Sequence, residues 1–235
     1  YNILKKLNHL KCIPKVYDYD DCIYKDNLYH FIVMDFIKGI NLKKYMLVHK
    51  FPLEEIFSIG LKLYIFLERL YELGYKYTDI KLENILINNN WDIFIVDFGG
   101  VIEIDISTIE YTPCYNLLSW RDPCSKEYQE HMIFNTTMVL LSLIFKREYN
   151  PLMFELEDIV VKIKNSTLNE EIKNLLISGL RGTYISSNKY KDDLIKLSCI
   201  SHRLDVGFGK IDYFFAGSIA FFICAILIGV KVWFF

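Results

Sequence analysis

Two short motifs decide the fold of this chain: Tyr77-Thr78-Asp79-Ile80-Lys81-Leu82-Glu83-Asn84 and, further on, Asp97-Phe98-Gly99. In the first motif an aspartate, a lysine and an asparagine place three polar side chains on one loop. In the second motif another aspartate precedes a glycine, which frees the backbone to turn that aspartate. Carboxylate and amide oxygens bind Mg²⁺, and a nearby cation neutralises a phosphate. The set therefore suits phosphoryl transfer.

The residues around the motifs predict where they lie in the fold. An amphipathic helix is predicted from Pro52 to Leu73, and Gly74 ends it. Two short strands, Ile85–Ile87 and Ile93–Val96, flank a turn-forming run of asparagines. The first motif thus follows a helix, and the second follows a β-hairpin.

The rest of the chain is read in the same way from hydrophobic periodicity and turn residues. Residues 1–10 predict the end of an amphipathic helix, which Pro14 stops. A hairpin turn at Asp26-Asn27 joins two predicted strands, and Asn41 is predicted to cap a short helix. The remaining predicted elements are strands Lys15–Tyr19 and Leu28–Phe36, a helix that ends at Val48, and helices Ile133–Phe145, 153–164 and 169–180.

Together, and in this order, the two motifs resemble the catalytic loop and the metal-binding triplet of protein kinases. The resemblance implies an α+β fold with a mainly helical C-lobe and a partial N-lobe, formed by a β-hairpin and the end of helix C. It implies residues 1–40 as partial N-lobe and hinge and 41–200 as C-lobe. The apolar run at the C-terminus, considered below, predicts 201–213 as juxtamembrane linker and 214–235 as one transmembrane helix.

The same resemblance implies roles for the polar residues, with ATP and Mg²⁺ as cofactors. Asp79 would be the catalytic base that orients the substrate hydroxyl, and Lys81 would contact the γ-phosphate. Asp97 would bind the principal Mg²⁺ and Asn84 a second one. Thr112, in a Thr-Pro-x-Tyr segment, resembles the threonine that bonds to the catalytic aspartate and lysine.

Residues 31–36 resemble the strand and hinge behind the adenine ring. The implied contacts are Met34 as gatekeeper, Asp35 and Ile37 through their backbones, Asn41 at the ribose and Leu86 as the pocket floor. Met34 and Leu86 can also be interpreted as plain core residues, and Asn41 as a helix cap alone.

The chain departs from the family pattern in its supporting residues. Tyr77-Thr78-Asp79 replaces His-Arg-Asp, so the arginine that binds a phosphorylated activation loop is missing. Leu117-Leu118-Ser119 stands where Ala-Pro-Glu is expected, which predicts the loss of that segment's buried ion pair, and Asn135 replaces an aspartate. The Gly-rich loop, the strand lysine and the helix glutamate are not found, so the chain is expected to be an N-terminally truncated fragment, inactive by itself.

The C-terminal run Phe214–Phe235 contains one charge, Lys231, and is long enough at about 1.5 Å per residue to cross a bilayer. It predicts a single-pass membrane helix. The lysines and arginines between 189 and 210 predict a cytoplasmic domain. Six scattered cysteines without a C-x-x-C pair argue against zinc and disulfides, and a net charge of -2 indicates no nucleic-acid partner.

These observations predict a membrane-anchored, Hanks-type bacterial serine/threonine kinase that uses ATP to phosphorylate protein substrates. One alternative is a membrane-tethered pseudokinase that acts as a binding module. Another is a small-molecule kinase of the aminoglycoside or choline type. Lys81 and the Thr112-Pro113 segment favour the protein kinase, because those small-molecule enzymes usually lack both.

Overall fold

The chain begins with a short helix and a long β-hairpin. The computed structural model describes residues 2–106, 111–124 and 127–199, and these elements lie in the unit Tyr1–Ser198. Helix α1 (Asn2–Leu7) is followed by the antiparallel strands β1 (Val16–Tyr24) and β2 (Asn27–Met34). The turn residues Lys25 and Asp26 both have positive φ angles, 50° and 62°, as a tight two-residue hairpin turn requires.

Strand β1 is longer than the sequence predicts. The predicted strand ended at Tyr19, but cross-strand pairing with β2 continues through the next two aspartates as far as Tyr24. Pairing therefore overrides the local preference of aspartates against strands. Almost all residues of both strands are exposed, including aromatic residues such as Tyr17 and Phe31.

Five further strands form two small antiparallel sheets. The order of the first sheet is β3-β5-β6, and the second pairs β4 with β7. Their bounds are β3 Ile40–Asn41, β4 Tyr75–Tyr77, β5 Ile85–Ile87, β6 Ile93–Ile95 and β7 Val101–Glu103. The hairpin β5–β6 confirms the sequence prediction. Strands β4 and β7 were not predicted, because neither carries a period-2 pattern long enough to be recognised.

Among the described residues, six further α-helices follow the hairpin, two before the motifs and four after them. They are α2 (Leu42–Val48), α3 (Leu53–Glu72), α4 (Tyr128–Phe145), α5 (Leu156–Lys164), α6 (Glu170–Arg181) and α7 (Ser187–Ser198). Five of the six correspond to predicted helices, with ends that shift by a few residues. Helix α7 was not predicted individually, and it falls within residues 41–200, which the resemblance predicts to be a mainly helical C-lobe.

The hydrophobic core lies around α4, which is buried on nearly every side. A helix that is apolar all round belongs inside a domain. Of its two buried neighbouring threonines, Thr137 is hydrogen-bonded: its hydroxyl bonds the Ile133 carbonyl at 2.8 Å and the Tyr190 hydroxyl at 3.0 Å. The Thr136 hydroxyl has no hydrogen-bond partner among the described residues. Helices α3 and α7 meet beside it, where the rings of Tyr64 and Tyr190 lie 5.2 Å apart. This core supports the loops that carry the motifs.

The observed mixture of a helical part and small antiparallel sheets confirms the predicted α+β class. No helix within the described ranges is both long and apolar enough to cross a bilayer. The predicted linker 201–213 and membrane helix 214–235 lie outside those ranges, and the predicted domain boundaries stay predictions.

Candidate active site

The two motifs are held together by backbone pairing. Strand β4 ends at Tyr77, which lies opposite Val101 of β7, so the first motif lies against the chain that follows Asp97-Phe98-Gly99. The backbone N–H and the hydroxyl of Thr78 both donate to the carbonyl oxygen of Gly100, at 2.8 and 3.0 Å. The sequence supplied the motifs, and the β4–β7 ladder brings them into contact.

Asp79 is the centre of a hydrogen-bonded cluster. Its Oδ1 accepts from the Thr112 hydroxyl at 2.6 Å, and its Oδ2 accepts from Lys81 Nζ at 2.5 Å. Asn84 Nδ2 donates to the Asp79 carbonyl oxygen at 3.2 Å and lies 3.4 Å from Oδ2. The structure therefore brings together four of the polar residues that the sequence singled out.

The charges of this cluster stabilise one another. Burial by itself would raise the pKa of Asp79, but hydrogen bonds from Lys81 and Thr112 outweigh it, and the pKa lies below its usual value. The hydrogen bond to Asp79 raises the pKa of Lys81. At neutral pH Asp79 is thus a carboxylate and Lys81 an ammonium. An ionised carboxylate at this position can accept a hydrogen bond from an incoming hydroxyl.

Tyr77 links the two predicted metal ligands. Its side chain is buried, and its hydroxyl donates to the Asp97 carbonyl oxygen at 2.9 Å while accepting from Asn84 Nδ2 at 3.2 Å. The backbone N–H of Val96 also donates to the Asn84 carbonyl oxygen at 3.0 Å. In the sequence Tyr77 stands out only as a replacement for histidine, and no local pattern predicts its bridging role.

Asp97 and Asn84 offer oxygens of the kind that Mg²⁺ prefers. Asp97 is exposed, and its Oδ1 accepts from the backbone N–H of Gly99 at 2.9 Å. The Asn84 NH₂ group donates hydrogen bonds to Tyr77 and Asp79, so the amide oxygen Oδ1 is the atom that can bind a cation. Two such ligands fit Mg²⁺, which usually keeps several waters and binds substrate phosphates. Within residues 2–106, 111–124 and 127–199 there is no group of three or more His, Cys, Asp or Glu residues able to hold a metal.

A cavity of about 480 Å³ adjoins Asp97 and can take part of a nucleotide. Met34, the predicted gatekeeper, lies in its wall at the end of β2. The lining residues are Ile3, Leu4, Ile32, Met34, Val96, Asp97, Phe98 and Gly99. The structure therefore places one predicted nucleotide residue and one predicted metal ligand around the same space.

The other predicted nucleotide residues lie along the connection from β2 to β3. The Asp35 carboxylate accepts a hydrogen bond from the Tyr17 hydroxyl at 2.6 Å, and its backbone N–H donates to the Lys15 carbonyl oxygen at 2.9 Å. The backbone carbonyl of Asp35 is therefore the group that would contact adenine. Ile37 is half-buried in the irregular segment between the strands. Asn41 lies opposite Leu86 across β3 and β5.

Asn41 is a helix cap, as the alternative interpretation held. Its Oδ1 accepts from the backbone N–H of Lys44 at 2.8 Å, which satisfies a free donor in the first turn of α2. Because Oδ1 is used in the cap, the predicted ribose contact would be made by the Asn41 NH₂ group as a donor. That contact stays a prediction.

A buried ion pair that the sequence did not predict follows Thr112, and the predicted loss of the family's own pair stays a prediction. Arg121 Nη1 lies 2.6 Å from Glu130 Oε1, and the two side chains are only 15% and 8% exposed, respectively. Arg121 Nε also donates to the Leu180 carbonyl oxygen at 2.9 Å, so the pair ties this segment to α4 and α6. The sequence could not show it, because neither residue stands at the position of the family's own pair.

Asn135 has a physical reason to be an amide rather than a carboxylate. It is buried in α4, and with its amide oriented to donate, Nδ2 bonds the carbonyl oxygens of Tyr115 and His131 at 2.6 and 2.9 Å. An ionised aspartate has no hydrogen to donate. The substitution therefore anchors the turn Pro113–Tyr115, just after Thr112, to the core.

Gly100 is the second residue that sequence reasoning missed. A Cβ atom at this position would lie 2.6 Å from Asp79 Cβ and 2.7 Å from Asp79 N. Only glycine allows the two backbones to approach this closely. The signal in the sequence was the doubled glycine after Phe98.

Comparison with known proteins agrees with this geometry. The protein kinase domain family matches residues 1–175. The chain belongs to the protein kinase family. It is 26% identical over 200 residues to the serine/threonine-protein kinase YabT of Bacillus subtilis, covering 83% of this chain and 59% of that protein. It is 28% identical over 129 residues to serine/threonine-protein kinase 1 of an African swine fever virus isolate, covering 54% of this chain and 41% of that protein.

These relatives confirm the resemblance to Hanks-type serine/threonine protein kinases, including a bacterial one, and the protein-kinase-like fold. The family in general uses ATP and Mg²⁺. The chain spans about three fifths of the length of YabT and two fifths of the viral kinase.

Replacing Tyr77 with phenylalanine is expected to loosen both predicted metal ligands, Asn84 and Asp97. The change removes a buried hydroxyl that serves the Asp97 carbonyl and the Asn84 amide, which should cost about 1–3 kcal/mol of unfolding free energy. Urea denaturation measures the loss, and Mn²⁺ titration followed by electron paramagnetic resonance should show weaker metal binding.

Tyr149→Phe is the matched control for Tyr77→Phe. Tyr149 is equally buried, but its hydroxyl has no hydrogen-bond partner among the described residues. Its removal should leave stability unchanged or higher. Equal losses in the two variants would contradict the bridging role of Tyr77.

Proposed function

We propose that this protein transfers the γ-phosphoryl group of ATP to serine or threonine hydroxyls of protein substrates. The observation that carries the proposal is the cluster in which Asp79 accepts hydrogen bonds from both Lys81 and Thr112. The two relatives named above are serine/threonine kinases, which supports the same acceptor.

Each residue of the cluster has a definite task in this reaction. Asp79 accepts a hydrogen bond from the incoming hydroxyl and takes its proton as the new P–O bond forms. The bond between the γ-phosphorus and the β–γ bridging oxygen breaks in the same transfer, and ADP leaves with that oxygen. Lys81 neutralises charge on the transferred group, and Thr112 holds the carboxylate in position. Asn84 and Asp97 would hold Mg²⁺, which supplies charge neutralisation at the phosphates when bound. Most of the catalytic effect then comes from positioning and electrostatics.

The hydrogen bond from Thr112 to Asp79 favours a protein acceptor over a small molecule. It fixes the segment after residue 111 against the catalytic loop, which gives an extended peptide a surface beside Asp79. The complete set of Asp79, Lys81, Asn84 and Asp97 argues against a pseudokinase, because a binding module needs neither a catalytic carboxylate nor metal-binding oxygens.

The test is to incubate the full-length protein with Mg²⁺, γ-labelled ATP, and either a generic protein acceptor or aminoglycosides and choline. We expect label on the protein, and acid hydrolysis should yield phosphoserine or phosphothreonine. Label on the small molecules alone would overturn the protein acceptor. Binding of Mg·ATP with no transfer to any acceptor, including itself, would support the pseudokinase instead.

We also propose that residues 214–235 anchor the protein in a membrane as a single helix, with the kinase domain in the cytoplasm. The support is the sequence alone: a long apolar run with basic residues before it. The intact protein should resist extraction from membranes by alkaline carbonate, and removal of residues 213–235 should release it. Extraction of the intact protein would contradict the anchor.

A further inference from the structure

A second cavity lies away from the phosphoryl-transfer cluster. It has a volume of about 720 Å³ and lies between the chain after α1, one face of α3, and β6. The lining residues are Leu10, Lys11, Cys12, Lys62, Ile65, Phe66, Arg69, Asp92, Ile93 and Phe94. It shares none of these with the cavity beside Asp97, and its size is typical of small-molecule sites.

The floor and one wall of this cavity are apolar. Phe66 and Ile93 are buried beneath it, and Ile65 is 37% exposed at its edge. Cys12 belongs to the same surface: burial raises the pKa of its thiol to about 11, and its carbonyl oxygen accepts from the backbone N–H of Ile95 at 2.8 Å. That hydrogen bond fixes the wall formed by residues 10–12 against β6, so the cavity has a defined shape.

The rim of the cavity is cationic. Lys62 and Arg69 are two turns apart on α3, and each lies one turn from Ile65 and Phe66. Residues three, four and seven positions apart share a helix face, so these four lie on one face. Lys62 Nζ bonds the Trp91 carbonyl oxygen at 2.7 Å and lies 3.6 Å from Asp92. The lining therefore holds three cations and a single acid.

Lys11 is the cation best placed to meet a ligand. Lys62 forms an ion pair with Asp92, and Arg69 Nη1 forms one with Glu72 at 2.7 Å. Lys11 is exposed and takes part in no ion pair within the part of the chain that the structure describes. An anionic group at the rim could therefore pair with the Lys11 ammonium, while the apolar part of the same ligand would cover Ile65 and Phe94.

The geometry points to a binding site for a free, single-chain amphiphile with an anionic head group, such as a medium-chain carboxylate. The chain lies along Ile65, Phe66 and Phe94, and the head group meets Lys11 at the rim. This complementarity selects against neutral and cationic amphiphiles of the same length, because they leave the excess positive charge unmatched. The site is separate from the proposed phosphoryl transfer and does not depend on it.

The test is equilibrium dialysis of the whole chain with labelled dodecanoate, below the concentration at which it forms micelles. Dodecanoate should bind more tightly than dodecanol and dodecyltrimethylammonium, and its affinity should fall as salt is added. Ile65→Asp should weaken binding about tenfold or more by placing a carboxylate on the apolar wall. Lys11→Glu should weaken it roughly fivefold.

Matched controls separate this cavity from non-specific binding. Ile195→Asp changes an isoleucine of similar exposure on α7, and Lys164→Glu reverses an exposed lysine at the end of α5; both lie outside the cavity. Because all variants keep the same C-terminal apolar run, binding to that run cancels in the comparison. Equal weakening by Ile65→Asp and Ile195→Asp would overturn the site. So would equal binding of the cationic amphiphile, or binding only to vesicles of anionic phospholipid.

Discussion

Asp79→Asn is expected to lower the rate of phosphoryl transfer by the full-length protein by about 10²- to 10⁴-fold. The amide cannot take a proton from the acceptor hydroxyl. It also lacks the negative charge that holds Lys81 at 2.5 Å and the Thr112 hydroxyl at 2.6 Å. Initial rates with γ-labelled ATP, measured at saturating acceptor, should show the loss mainly in kcat rather than in KM for ATP.

Asp105→Asn is the control for this variant, because Asp105 is exposed in the turn after β7 and takes no part in the cluster. Its activity should equal that of the unchanged protein. Thermal unfolding should show that Asp79→Asn remains folded, so that a loss of activity reflects chemistry. Transfer within a few-fold of the unchanged rate in Asp79→Asn would show that Asp79 has been assigned the wrong role.

Gly100→Ala is expected to lower activity at least about tenfold although it adds a single methyl group. The new Cβ would lie 2.6 Å from Asp79 Cβ and 2.7 Å from Asp79 N, well inside contact distance. Neither neighbour is the end of a flexible side chain, so the backbone of the catalytic loop has to move. Overpacking of this kind costs about 1–3 kcal/mol of stability, and a displaced carboxylate loses its alignment with the hydroxyl.

Gly74→Ala distinguishes lost alignment from lost stability. Gly74 has a φ of 85° at the end of α3, and a Cβ there meets nothing within 4 Å. Alanine should therefore cost about 1–2 kcal/mol through backbone strain alone, without touching Asp79. Urea denaturation should show comparable losses for the two variants, while only Gly100→Ala loses activity. A parallel loss of activity in Gly74→Ala would mean that general destabilisation explains both.

Much of this architecture could be predicted because it rests on local patterns. Helix α3 has apolar residues at helical spacing, a proline at its start and a glycine after its end, so its limits were predicted within about a turn. Strands β4 and β7 are three residues each and exist because they pair with one another. No local signal marks such a pair, since each strand supplies the hydrogen-bond partners of the other.

The same distinction holds for the active site. The sequence by itself determined which chemistry is present, because an aspartate, a lysine and an asparagine at fixed spacing, with a second aspartate before glycine, leave few alternatives. Only the tertiary structure decided how these groups are held: by the buried Tyr77 hydroxyl between Asn84 and Asp97, and by the close approach of Gly100 to Asp79. Such contacts join residues far apart in the chain, and their energy depends on distance and burial, which spacing in a sequence does not record.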